Sequence, residues 1–148
     1  MTRTATITTT APAPAVSDET IARVLSLFER LMDHKTTVDA HLGFDVPVRQ
    51  LFVLLLAMEL PVGPREIRPV ARATEGMRFA DELYRLRKQP AVYDELRRLF
   101  YDGRMTCKRR GRRVFYVPSP KIHNRMQRLL AALSVDGNHP NEVRQSAK

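Results

Sequence analysis

The chain has 148 residues, 43% of them hydrophobic, with ten prolines, six glycines and a single cysteine. That length buries one core and leaves turns rather than a second domain, and a lone Cys107 excludes an intrachain disulfide and a multi-cysteine metal site. The formal charge is +9, yet residues 97–128 hold eleven Lys and Arg against one acid, Asp102, so everything outside that window sums to about −1; such a surface draws phosphates or an anionic membrane, not a neutral metabolite.

Residues 1–16 are rich in Thr, Ala and Pro, with Arg3 as the only cationic side chain and no apolar centre. This reads as a disordered arm and not as a secretory leader. Ser17 is a good N-cap, Asp18 and Glu19 suit the positive end of a helix, and Ile21, Val24, Leu25, Phe28, Leu31 and Met32 follow with helical spacing. A hydrophilic stretch runs to Gly43. Asp45 and Pro47 then open a second helix whose residues from Val48 to Met58 leave little polar face, which suits the centre of a core. Its apolar run, Leu51 to Met58, falls short of the roughly 20 residues a bilayer span needs, so no membrane-spanning segment is expected; the lone cysteine suits a reducing interior, and a cytoplasmic, nucleoid-associated location without a membrane partner is expected.

Pro61, Gly63 and Pro64 end that helix, and Pro69 in the middle of Glu66 to Ala73 predicts a short or broken one. From Met77, Phe79, Leu83 and Leu86 line one face; Pro90 interrupts; Val92, Leu96, Leu99 and Phe100 line the next. Two short helices joined by a tight turn are expected. Gly103 stops the second, and Met105–Lys108 faces Arg112–Val117 across Arg109, Arg110 and Gly111 as a β-hairpin. After Pro118 and Pro120, the spacing of Ile122, Met126, Leu129, Leu130 and Leu133 predicts a last helix, followed by a polar tail over 134–148. The expected architecture is mainly α with a small β-hairpin, in one domain over 17–133.

Helix, turn, helix and a two-stranded hairpin with a cationic tip is the order of a winged helix-turn-helix. The stretch from His41 to Leu56 (HLGFDVPVRQLFVLLL), the run from Tyr93 to Gly103 (YDELRRLFYDG) and the wing-like Arg112 to Val117 (RRVFYV) resemble the MarR family of transcriptional regulators over roughly residues 17–133. The resemblance implies that the N- and C-terminal helices dimerise the protein, through Ile21, Leu25, Phe28 and Met32 and through Ile122, Met126, Leu129 and Leu133. It also implies repression, and a cleft for an unidentified small-molecule effector between the dimerisation and DNA-binding parts.

Lys108, Arg109, Arg110, Arg112 and Arg113 crowd around one glycine with no interleaved acid, and their mutual repulsion asks for an anionic partner. They are the expected phosphate-binding wing. For the helix that reads bases two choices stand: Ala91–Tyr101, offering Tyr93, Arg97 and Arg98, and Met77–Lys88, offering Arg78, Arg85, Arg87 and Lys88. Arg97 and Arg98 also stand at pairing spacing from Asp94 and Glu95, and Tyr93 and Tyr101 suit either a DNA backbone or the edge of the core. Arg125 and Arg128 are expected to be solvated or to flank DNA. Cys107, beside Met105, is expected to face inward as a small apolar filler. His34, His41, His123 and His139 lack metal-site spacing, and no nucleophile–base or paired-carboxylate arrangement is visible, so neither metal, cofactor nor catalysis is expected. The expected function is sequence-directed binding of duplex DNA by a homodimer that regulates transcription. Two alternatives are a phage- or plasmid-type factor that binds host proteins and an RNA-binding or replication-accessory protein.

Overall fold

The structure is a computed structural model that describes residues 15–138, with side chains through Leu133. Its order is α1 (Asp18–Asp33), α2 (Lys35–Leu42), α3 (Val48–Ala57), α4 (Pro64–Arg72), α5 (Ala80–Leu83), a 3₁₀ turn (Tyr84–Arg87), α6 (Gln89–Tyr101), β1 (Met105–Arg110), β2 (Arg113–Pro118) and α7 (Pro120–Asn138). The chain is thus mainly helical with one antiparallel hairpin. None of the described helices is long and apolar enough to cross a membrane. Most of the expected arm and of the expected tail lies outside the described residues, but both bounds shift: Val16 is buried in the core, and α7 runs on to Asn138.

The core forms around α3, in which every residue from Gln50 to Ala57 is buried. An unbroken apolar run of this kind has no face left for solvent, so other elements must wrap it. Helix α1 covers one side, with Phe28 set edge-on against Phe52 at 5.4 Å and against Phe79 at 6.0 Å. It starts where Ser17 Oγ accepts the Thr20 N–H at 3.1 Å. Helix α2 occupies the stretch that looked merely hydrophilic. Only Val38 and Leu42 of its eight residues are buried, too sparse a stripe to signal a helix; Lys35 and Asp39, one turn apart, brace it at 2.8 Å.

Helix α4 forms despite Pro69. Pro69, inside the helix, forfeits the backbone bond to the carbonyl of Arg65 and crowds that carbonyl, and buried Ile67, Val70 and Ala71 outweigh that loss. Glu66 Oε1 caps the start by accepting the Gly63 N–H at 2.8 Å. The expected helix from Met77 to Lys88 does not form as one piece. Phe79 adopts a left-handed backbone, φ 66°, where its ring meets Phe28, and beyond it the chain makes only one α turn and one 3₁₀ turn. Helix α6 then begins with Pro90 in its first turn, where a missing N–H costs nothing. It ends in a Schellman motif: Gly103 N–H reaches Phe100 O at 3.0 Å, Arg104 N–H reaches Leu99 O at 2.8 Å, and Gly103 takes φ 75°.

Strand β1 extends two residues beyond its expected end, to Arg110, which pairs with Arg113. The turn is therefore just Gly111 and Arg112, with Gly111 at φ 60° in the first central position, as primed hairpin turns demand. Val62, between α3 and α4, exchanges both backbone bonds with Tyr116 at 3.0 and 2.8 Å, tying the free edge of β2 to the helical body.

The two end stripes meet a different fate from the expected interface. Phe28, Ile122, Met126, Leu129 and Leu133 are buried within the single chain, and Ile21, Leu25 and Met32 are half-buried against the same core. Intramolecular packing consumes those side chains: Phe28 sits against Phe52 of α3 and against Phe79, and α7 packs on α2, with Arg30 of α1 donating to the Leu133 carbonyl. Arg125 is likewise not simply solvated, since its guanidinium caps α2 through the Leu42 carbonyl at 2.6 Å.

Candidate nucleic-acid interface

Helix α6 buries Val92, Glu95, Leu96 and Leu99, which by helical periodicity turns Tyr93, Asp94, Arg97 and Tyr101 outward. Its orientation is fixed by a polar network beneath it. Glu95, 7% exposed, accepts Arg49 Nε at 3.1 Å and Gln50 Nε2 at 3.3 Å, and Arg104 Nη1 donates to Gln50 Oε1 at 3.0 Å. Arg104 also stacks on Phe44, 3.6 Å from the ring centroid. A buried carboxylate satisfied from two residues of α3 locks α6 in rotation.

Between α4, α6 and the hairpin lies an open cleft of about 470 Å³. Arg65 and Arg68 enter from α4, Gln89, Tyr93 and Arg97 from α6, and Arg112, Arg113, Val114 and Tyr116 from the hairpin. Three of its five guanidinium groups are already engaged. Arg113 contacts buried Glu66 at 3.2 Å, Arg68 Nε donates to the Arg87 carbonyl at 3.0 Å, and Arg97 meets Asp94 at 3.4 Å in an exposed pair. Arg65 and Arg112 have no ion pair among the described residues. The phenol of Tyr116 has its pKa pushed up by burial and by the neighbouring Cys107 thiol, with Arg97 pulling the other way.

The expected wing cations separate. Arg112 and Arg113 line the cleft, but Arg113 is pinned to Glu66 and stacked 4.4 Å over Phe115, so it is a clamp and not a free charge. Lys108 lies instead in a second groove with Met58, Val117 and His123. Arg109 and Arg110 are exposed near the tip. Of the expected helix residues, Tyr93 and Arg97 share the cleft, whereas Arg85 and Arg98 sit with Arg49 on the other flank of α6, and Lys88 joins Arg85 beside Tyr84. Arg78 pairs with Asp33 of α1 at 2.8 Å. Cys107 shares the Met105 side of β1 but is exposed, because only the base of the strand reaches the core.

Sequence reasoning missed Arg65, Arg68 and Gln89. The i,i+3 spacing of Arg65 and Arg68 opposite Ile67, Val70 and Ala71 was a usable signal that Pro69 obscured. No group of three or more metal-ligating residues occurs among the described residues. No family model, no curated protein and no solved structure matches the chain.

Proposed function

We propose that the chain is a winged helix-turn-helix protein that binds duplex DNA through this cleft and regulates transcription, with α6 in the major groove and the hairpin tip on adjacent phosphates. The element order supports the topology: α3, the bridging Val62, α4, then α6 and the hairpin, with Val62 as a third rung beside β2. The observation that carries the reading is the convergence of Arg65, Arg97 and Arg112 from three separate elements on one concave surface that no acidic side chain among the described residues lines. Continuity favours α6 over the segment from Met77 to Lys88 as the reading helix, since a single α turn and a 3₁₀ turn present no face long enough to follow a groove.

Phosphate neutralisation at Arg65, Arg109, Arg110 and Arg112 supplies affinity; Tyr93 and Arg97 are the residues placed to discriminate base edges. Repression by occupying an operator is the mode the family resemblance implies. Homodimerisation belongs to the proposal as well, through α1, with the half-buried Ile21, Leu25 and Met32 in place of the fully buried residues.

The test is the salt dependence of binding to a random-sequence duplex, measured by fluorescence anisotropy. Replacing Arg65, Arg110 and Arg112 with Ala should reduce the slope of log affinity against log salt by about 2.7, at roughly 0.9 per phosphate contact. Arg78→Ala, whose guanidinium faces Asp33 away from the cleft, is the control and should leave the slope unchanged. An unaltered slope in the triple variant would overturn the DNA-binding reading and favour docking of host proteins.

A further inference from the structure

Alongside the arginines runs a strip of aromatic rings. Tyr93 and Tyr116 line the cleft, Phe100 packs at 6.4 Å from Tyr116, and Tyr101 lies 5.7 Å from Phe100. Burial does not account for this strip: Tyr93 is 39%, Phe100 42% and Tyr101 75% exposed. Those three stand on a helix whose apolar side is already filled by Val92, Leu96 and Leu99. Exposed aromatic faces are costly to leave wet and useful where something flat is to be stacked on them.

A duplex hides its base faces inside its own stack and offers a protein only edges and phosphates. Unpaired bases offer their faces, and a cationic groove interleaved with aromatic rings is the arrangement that holds a single strand. The rise along α6 from Tyr93 to Tyr101 is about 12 Å, room for about three or four stacked nucleotides at the roughly 3.4 Å spacing of a strand. Resting on the nucleic-acid reading of the cleft, we propose that the strip Tyr93–Tyr116–Phe100–Tyr101 is a stacking platform for unpaired bases. The protein then engages single-stranded nucleic acid, with the strand backbone neutralised by Arg65, Arg97 and Arg112.

The chain provides its own reporter. It has no Trp and four Tyr, and three of those four, Tyr93, Tyr101 and Tyr116, are in the strip, so stacking quenches most of the intrinsic fluorescence. The experiment titrates the full chain with oligo-dT of about twelve nucleotides, a length within the range one such site covers, with oligo-rU of the same length, and with a random duplex. The result expected is tyrosine quenching with at least one single strand and weaker quenching with duplex. Tyr101→Leu and Tyr93→Leu should each weaken single-strand binding about 5- to 150-fold, the range measured for loss of one stacked base. The salt slope should not move, because no cation has been removed. Duplex binding without single-strand quenching, or single-strand affinity unchanged in both Leu variants, overturns the platform alone. Failure of every probe to bind overturns the nucleic-acid reading with it.

Discussion

Glu66 joins two functions that the sequence kept apart, the start of α4 and the base of the hairpin, and its removal has a calculable cost. One carboxylate oxygen accepts the buried Gly63 N–H at 2.8 Å, and the group meets Arg113 at 3.2 Å while only 7% exposed itself. In Glu66→Ala the Gly63 N–H is left without a partner, at about 1–3 kcal/mol. Loss of the ion pair adds about 1 kcal/mol and no more, because Arg113 is 39% exposed and can turn to water. The total is about 2–4 kcal/mol. Glu66→Gln retains an acceptor for the N–H and should cost only about 1 kcal/mol. Arg113→Ala leaves a buried carboxylate with a single neutral donor, and should cost more than Glu66→Gln, about 2–3 kcal/mol. Urea denaturation followed by circular dichroism measures each, and the Glu66→Gln, Arg113→Ala double variant should be more stable than the sum of the single losses requires. If Glu66→Ala stays within about 0.5 kcal/mol of wild type, the size expected of an ordinary surface change, or if the cycle shows strict additivity, the clamp is not what holds the hairpin to α4.

Glu95→Ala removes the acceptor for both Arg49 and Gln50 under α6, and should destabilise the fold by about 2–4 kcal/mol in the same assay. Gly103→Ala would place a Cβ in open space, so its cost is the left-handed backbone alone, about 1–2 kcal/mol; a larger loss would mean that the Schellman turn is coupled to the hairpin. Burial raises the pKa of Asp39, but hydrogen bonds from Lys35 and the Val46 N–H outweigh it and hold the carboxyl below its ordinary 3.8. A lowered folded-state pKa contributes stability above 3.8 that is lost as pH falls through the folded value. The stability gap between wild type and Asp39→Asn should therefore be full at neutral pH and narrow only below pH 3.8; a gap that is the same at all pH values refutes the charge-based account. Light scattering at micromolar concentration tests the proposed dimer, and a monomer that retains duplex binding and its salt slope would remove the dimer and leave the cleft.

Much of the helical frame was legible because local chemistry and periodicity agree in those segments. Ser17 before Asp18 and Glu19, the unbroken apolar run of α3 and the glycine at the hairpin turn each act within a few residues of themselves, and each appears where the pattern put it. The concentration of charge in residues 97–128 likewise required no fold to be seen. Illegible were the decisions taken between distant segments. Whether an apolar stripe faces its own core or a second chain depends on which helices meet, and the packing of α1 on α3 and of α7 on α2 buried Phe28 and Leu129 inside one molecule. Pro69 looked like a break because periodicity carries no weight for Ile67 and Val70 until there is a core for them to enter. Arg113 read as one of five equivalent cations, and only the approach of α4 gave it a carboxylate, while Arg112 has no ion pair among the described residues. Charge is a property of the residue, but whether it is spent inside the protein or offered to a ligand is set by the neighbours that long-range packing brings to it.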